Sequence, residues 1–222
     1  MSADRPLKTK LKTARGRSTS SQQWLRRQLN DPYVHLAKQQ GWRARSVFKL
    51  QELDERFGLL HRGTRVIELG AAPGSWTQYA VRRGSRVVAV DLLAMEPVAG
   101  AELIQGDFLD PEVQERLRAR LGGPADLVLS DMAASTTGRR AVDRLRAEAL
   151  GESVLDFAGE ALAPGGGCLL KLIKGGEAAL MPRAQALFHT SRIVRPKATR
   201  AESSEVYLLA RDRRESGETA PG

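Results

Sequence analysis

The sequence predicts an α/β protein whose mostly parallel sheet is covered by helices on both faces. Two observations carry that prediction. Short apolar runs, among them Arg65–Leu69, Arg86–Val90, Asp126–Leu129 and Cys168–Ile173, alternate with helix-like stretches, and near-continuous apolar strands belong to parallel sheets buried on both sides. The first run also leads directly into Gly70-Ala-Ala-Pro-Gly-Ser-Trp76, a turn of small residues at a helix start. Such a turn lets backbone N–H groups and a helix N-terminus approach a ligand at the carboxyl end of a strand.

Composition sets the outer limits. A chain of 222 residues, 41% hydrophobic and 27% charged, suits one soluble domain with a full core. No apolar run approaches the length of a membrane span, and the N-terminus lacks the apolar segment of a secretory signal. One cysteine, Cys168, excludes an internal disulfide and fits a reducing cytoplasm, and three scattered histidines show no metal-ligand spacing. The net charge of +9 favours a polyanionic partner, nucleic acid first.

Taken in order, residues 1–20 hold Arg5, Lys8, Lys10, Lys12, Arg15 and Arg17 against Asp4 alone, which predicts a disordered basic arm suited to a phosphate backbone. The globular domain is expected over residues 21–211, with a frayed tail from 212 to 222. Ser21–Phe57 reads as helix, with Asp31-Pro32 opening one segment and Val47, Leu50, Leu53 and Phe57 forming a core stripe. Lys49 lies beside that stripe, and Arg43, Arg45 and Lys49 with Trp42 and Phe48 suggest an RNA-contacting face. Beyond the first strand, helices are expected over Ser75–Arg83, Pro111–Leu121, Ala141–Ala163 and Ala178–Phe188. A short strand is expected over Glu102–Ile104, and further strands over Arg192–Val194 and Val206–Ala210.

The strand ends carry the chemistry. They present Gly70–Trp76, Asp91, Gly106-Asp107-Phe108, Ser130-Asp131 and, inside the fifth strand, Lys171. The turn supplies neither the G-x-G-x-x-G of dinucleotide folds nor the Gly-Lys-Ser/Thr of a P-loop. Glu68 just before it would repel a phosphate, whereas a cationic, phosphate-free cofactor such as S-adenosylmethionine tolerates an acid there. Asp91 follows Gly70 by 21 residues, the spacing of an acid that accepts from ribose hydroxyls, a spacing that fits NAD equally. Asp107 beside Phe108 suits an adenine. The turn Ser130-Asp-Met-Ala-Ala134 lacks the Pro-Pro-aromatic sequence of base N-methylating enzymes. Cys168 sits inside a strand, away from the loop position of a base C5-methylating nucleophile. A hydroxyl acceptor that must lose a proton leaves Lys171 as a candidate.

Together these motifs resemble the FtsJ-type ribose 2′-O-methyltransferases: Gly70–Trp76, Asp91-Leu-Leu, Gln105-Gly-Asp-Phe108, Ser130-Asp-Met-Ala133, Leu170-Lys-Leu172 and Ser204-Glu-Val-Tyr207, with Ala44-Arg-Ser-Val-Phe-Lys-Leu50 upstream. The likeness runs through residues 20–210 and extends to those members that act on a uridine of bacterial large-subunit (23S) ribosomal RNA. It implies a Rossmann-like, seven-stranded, S-adenosylmethionine-dependent fold with the last strand antiparallel. It also implies a catalytic tetrad of Lys49, Asp131, Lys171 and Glu205, and a cofactor site drawn from Gly70, Gly74, Trp76, Asp91, Asp107, Phe108 and Asp131. The expected partner is ribosomal RNA, in the large subunit or its precursor, met by a cytoplasmic monomer. Three positions depart from the family pattern. Ala134 stands where proline is usual, Lys174 in Leu-Ile-Lys-Gly-Gly176 offers an extra phosphate contact, and Glu202 replaces a frequent base. Lys171 as proton acceptor must first be neutral, which costs an ordinary lysine about 4 kcal/mol at pH 7; the alternative is an ammonium that orients the hydroxyl and stabilises the alkoxide. Three rival functions stay open at this level, an RNA-binding assembly factor without activity, a methyltransferase acting on another RNA such as tRNA, and an NAD-type oxidoreductase disfavoured by the missing G-x-G-x-x-G.

Overall fold

A computed structural model describes residues 30–215; the expected basic arm, the first part of the Ser21–Phe57 stretch and residues 216–222 lie outside them. Helices α1 (Pro32–Gln39) and α2 (Val47–Phe57) come first. Then follow β1 (Arg65–Leu69), α3 (Ser75–Arg82), β2 (Arg86–Asp91), β3 (Ala101–Gln105), α4 (Pro111–Leu121) and β4 (Ala125–Ser130). The chain continues with α5 (Arg140–Ala161), β5 (Leu162–Ile173), α6 (Glu177–Leu187), β6 (Phe188–Val194) and β7 (Glu205–Arg213).

The seven strands form one sheet in the order β3-β2-β1-β4-β5-β7-β6. Strands β1 to β5 are parallel, and β7 inserts antiparallel between β5 and β6, as expected for the last strand. Alternation along β1 separates the two layers. Ile67 and Leu69 join Val113 and Leu117 of α4 and Val154 and Phe157 of α5, whereas Val66 packs with Leu50 and Leu53 of α2 and Trp76 of α3.

Local chemistry explains the helix ends. Asp31 accepts from Tyr33 N–H (3.0 Å) with Pro32 at the first turn, and Asp110 accepts from Glu112 N–H (2.9 Å) ahead of Pro111. Among the described residues, the helical stretch expected through Phe57 is broken between Gln39 and Val47, where Gly41 turns the chain with φ +71°. Strand β5 begins at Leu162, inside the stretch Ala141–Ala163 expected as helix, with an irregularity in its pairing to β4. Strand β7 runs to Arg213, and Arg214 N–H donates to Leu187 O (2.9 Å). The chain is therefore held two residues past the expected start of the tail at 212, because Phe188–Val194 forms a full edge ladder against it.

Candidate active site

The carboxyl ends of β1 to β4 open into a cleft of about 620 Å³, a size suited to one small ligand. Gly70, with φ +76°, forms its floor; a Cβ there would stand 2.5 Å from Met132 Cγ and 2.9 Å from Met132 N. Only glycine lets the turn pass beneath the loop after β4. Asp91 closes β2, with Oδ2 accepting from Ala72 N–H and Oδ1 from Leu93 N–H, each at 2.8 Å. A carboxylate offers about four acceptor sites, so both oxygens retain capacity for a diol. Asp107 accepts from Leu109 N–H through Oδ1 (2.9 Å). Gly70, Asp91, Asp107, Phe108 and Asp131 all line this cleft.

Four titratable side chains meet at its edge as two pairs. Lys171 Nζ stands 3.2 Å from Asp131 Oδ1 and donates to the Asp131 carbonyl oxygen. Lys49 Nζ donates to Glu205 Oε2 at 2.7 Å. Topology brings them together. Because β7 is antiparallel, its first residue, Glu205, lies opposite Ile173 at the same sheet edge where the parallel strands end, and Tyr207 lies opposite Lys171. Lys49 arrives from the first turn of α2 and is buried. For Glu205, burial raises the carboxyl pKa, but the Lys49 charge and hydrogen bond and the Lys171 charge outweigh it, and the net shift is downward. Asp131 belongs to both assemblies: it lines the cleft and holds Lys171.

The other residues singled out in the sequence take the following positions. Trp76 is 2% exposed; its indole Nε1–H donates to Ser46 O (2.8 Å) and its ring packs on Tyr207, so the side chain supports the turn from below. Gly74 (φ +97°) faces Arg43, whose Nη1 would be 2.8 Å from an added Cβ, and it does not line the cleft. Phe108 lines the cleft, yet its ring is mostly buried, edge-on against Phe157. Glu68 presents no charge to the cleft: it is buried beneath α3 and accepts from Thr77 Oγ1–H (2.7 Å). Burial, with lesser contributions from Asp131 and Asp91 and opposed by the Thr77 hydrogen bonds, pushes its carboxyl up to about 8. Cys168 is buried in β5, where burial pushes its thiol up to about 12, the opposite of an activated nucleophile.

The expected RNA face of Arg43 and Arg45 is also different. Arg43 is engaged by backbone carbonyls, and Arg45 pairs with Asp31 (2.7 Å) and donates to Ala198 O. Both carry the segment before α2 onto the domain. Tyr207 is a site residue that sequence reasoning misses: it is fully buried, and its OH donates to Asp131 Oδ1 at 2.8 Å. A signal for it exists, because residues two apart on a strand share a face and Glu205 is already a candidate.

Comparison with known proteins shows the family of the chain. The family described as FtsJ-like methyltransferase matches residues 42–213. The ribosomal RNA large subunit methyltransferase E of Gluconobacter oxydans is 55% identical over 202 residues, covering 90% of this chain and 75% of that one. Its counterpart from Granulibacter bethesdensis is 55% identical over 209 residues, covering 93% and 91%. A solved structure from Plasmodium falciparum, provisionally described as a ribosomal RNA methyltransferase, superposes with a TM-score of 0.70 over 78% of this chain and 98% of that one; at 24% identity it speaks to the fold. With the family match spanning most of the domain, from Trp42 to Arg213, this chain belongs to the FtsJ-like methyltransferases.

Proposed function

We propose that the protein transfers the methyl group of S-adenosylmethionine to the 2′-oxygen of a ribose, a uridine's, in large-subunit (23S) ribosomal RNA, in the cytoplasm during ribosome assembly. The observation that carries this reading is the meeting of cleft and charge pairs at Asp131, which puts a nucleoside-sized pocket beside two lysines. Relatives at 55% identity named as ribosomal RNA large subunit methyltransferases support the substrate.

The residues fit the cofactor. Asp91 has acceptor capacity for a ribose diol, Asp107 for an adenine amine, and the turn after β1 offers no lysine to a phosphate. Gly70 gives close approach, Gly74 and Trp76 shape the turn, and Phe108 backs the adenine end. When bound, the cofactor supplies an electrophilic methyl group. The protein's part is to hold the acceptor oxygen in line with it, and such positioning supplies most of the acceleration.

Lys171 is the group that meets the acceptor oxygen. An ammonium has three donors; one is given to the Asp131 carbonyl oxygen, with the Asp131 carboxylate 3.2 Å away, which leaves a donor for the 2′-oxygen. In that role it orients the hydroxyl and stabilises negative charge as it develops. Lys49, tied to Glu205, adds a second positive charge on the acceptor side, and Tyr207 fixes the Asp131 carboxylate. The 2′-hydroxyl proton would leave to solvent as the oxygen–carbon bond forms and the sulfur–methyl bond breaks, with S-adenosylhomocysteine as the leaving group.

The test is incubation of the enzyme with labelled cofactor and large-subunit particles, followed by mapping of the modified nucleotide. The expected label is on a ribose of 23S RNA. Label on a base or on tRNA, or none at all, would defeat the assignment. Single-turnover rates against pH for Lys171→Arg and Lys171→Ala separate the two roles of the lysine. Partial activity in the arginine variant with loss in alanine marks an orienting cation. Equal loss in both, with a rate in the parent that climbs with pH, marks a base.

A further inference from the structure

Arg43 lies ahead of α2 and sends its guanidinium across the outside of the Gly-rich turn. Nη1 donates to Pro73 O (3.0 Å) and Glu96 O (2.6 Å), and Nη2 donates to Pro97 O (2.7 Å). Its backbone N–H donates to Gln78 Oε1 (3.0 Å). Three of its five N–H donors are thus engaged by carbonyls of two separate segments. Pro73 follows the cleft-lining Gly70 and Ala72, and Glu96 and Pro97 close the loop that begins at the cleft-lining Asp91 and Leu92. Gly74 leaves room for this contact, since a Cβ there would stand 2.8 Å from Nη1 and 3.3 Å from Val98 Cγ2.

The same short segment is fastened to the turn a second time. Ser46 O accepts from the Trp76 indole, and the Ser46 and Ser75 hydroxyls are 2.8 Å apart. Three residues later comes Lys49, paired with Glu205. Residues 43–49 therefore grip both walls of the cleft at one end and deliver an acceptor-side lysine at the other.

We infer that Arg43 is a positioning residue: by holding the carbonyls of Pro73, Glu96 and Pro97 together it sets the width of the cofactor cleft, and the segment it anchors keeps Lys49 in register with that cleft. The inference rests on the cofactor reading above and assigns Arg43 to the cleft wall instead of the RNA. A planar fork can bridge several carbonyls at once, whereas a lysine ammonium at that point cannot span both segments.

The experiment titrates full-length parent, Arg43→Lys and Arg43→Ala with S-adenosylhomocysteine by calorimetry, and follows methyl transfer to large-subunit particles. Both variants should bind the nucleoside about ten-fold or more weakly. The KM for cofactor should rise while the KM for particles and the salt dependence of particle binding stay as in the parent. Millimolar guanidinium should restore part of the affinity of Arg43→Ala. Gly74→Ala, which drives a methyl group into Nη1, should lose affinity in the same way and serves if Arg43→Ala fails to fold. Parental cofactor affinity in Arg43→Lys and Gly74→Ala would overturn the inference, whether the melting temperature falls or not. So would a shallower salt dependence of particle binding with unchanged cofactor affinity, which marks an RNA contact. A parent that binds no nucleoside would instead refute the cofactor reading, and the parental titration reports that separately.

Discussion

Replacing Glu68 by glutamine should stabilise the protein, and increasingly so as pH rises. The carboxyl is 2% exposed and held neutral by burial, with a pKa of about 8 against roughly 4.3 in an unfolded chain. The folded state therefore binds the proton more tightly than the unfolded state. Between those two values the unfolded chain has lost its proton while the folded one keeps it, so folding becomes less favourable as pH climbs, by about 1.4 kcal/mol per unit. At pH 7 that is on the order of 4 kcal/mol for this one side chain. Glutamine has no such linkage and can still accept from Thr77 Oγ1–H. Its buried NH₂ donors offset part of the gain, by about 1–3 kcal/mol if unpaired. Urea unfolding of parent and Glu68→Gln at half-unit steps from pH 5 to 9 measures the effect. The stability difference should move in favour of the variant up to about pH 8 and then level off. A difference that stays flat from pH 5.5 to 8, or shrinks, would refute the buried neutral carboxyl and return Glu68 to an ionised role beside the cofactor.

Other substitutions probe the cleft and its edge. Tyr207→Phe removes the donor to Asp131 Oδ1 while keeping the ring against Trp76; urea unfolding should show a loss of about 1.5–3 kcal/mol, with single-turnover methyl transfer slowed because Asp131 no longer holds Lys171 in place. Gly70→Ala puts a Cβ 2.9 Å from Met132 N at positive φ; it should weaken nucleoside binding in calorimetry by at least ten-fold and lower the melting temperature. Asp91→Asn keeps some backbone contacts but loses charged acceptors, and its nucleoside affinity should fall by about 1.5–3 kcal/mol with the rate at saturating cofactor near that of the parent.

The sheet is legible in the sequence because parallel strands buried on both faces are written as continuous apolar runs. Much of the cleft is legible too, because the first four strands lead into Gly70, Asp91, Asp107 and Asp131, residues of distinct chemistry at one edge of the sheet. Composition and strand ends could not give the pairing of charges. Lys49 and Glu205 are 156 residues apart, and their contact depends on the antiparallel insertion of β7, for which no periodicity in the chain is a signal; resemblance to a family supplied it. Glu68 misleads for a related reason. An acid before a Gly-rich turn looks like a charge aimed at the ligand, but strand alternation turns its side chain to the α2–α3 layer, where burial outweighs ionisation. Arg43 and Arg45 illustrate the same limit on the surface, since an arginine read as a free cation is in the folded chain a set of donors already engaged by carbonyls and Asp31.

The two lysine–carboxylate pairs raise a question of coupling that a mutant cycle answers. Lys49 is nearly enclosed, with 10% of its side chain exposed, whereas Glu205 retains 33%. Breaking a fully buried pair costs about 3–5 kcal/mol because a charge is left uncompensated; water at Glu205 reduces this to about 1–2 kcal/mol. Lys49→Met leaves Glu205 with the more distant charges of Lys171 and Arg45, and Glu205→Gln leaves Lys49 by the Tyr207 ring, 5.8 Å from its centroid, with its ion-pair partner removed. Each single variant should therefore be less stable than the parent by that amount, while the double variant recovers most of it, giving a coupling energy of about 2–4 kcal/mol in urea unfolding. Activity should behave oppositely. If Lys49 supplies positive charge to the acceptor side, the double variant stays as slow as Lys49→Met although its stability returns. Recovery of rate together with stability would show that the pair only braces α2 against β7, and Lys49 would then leave the reaction to Lys171 and Asp131 alone.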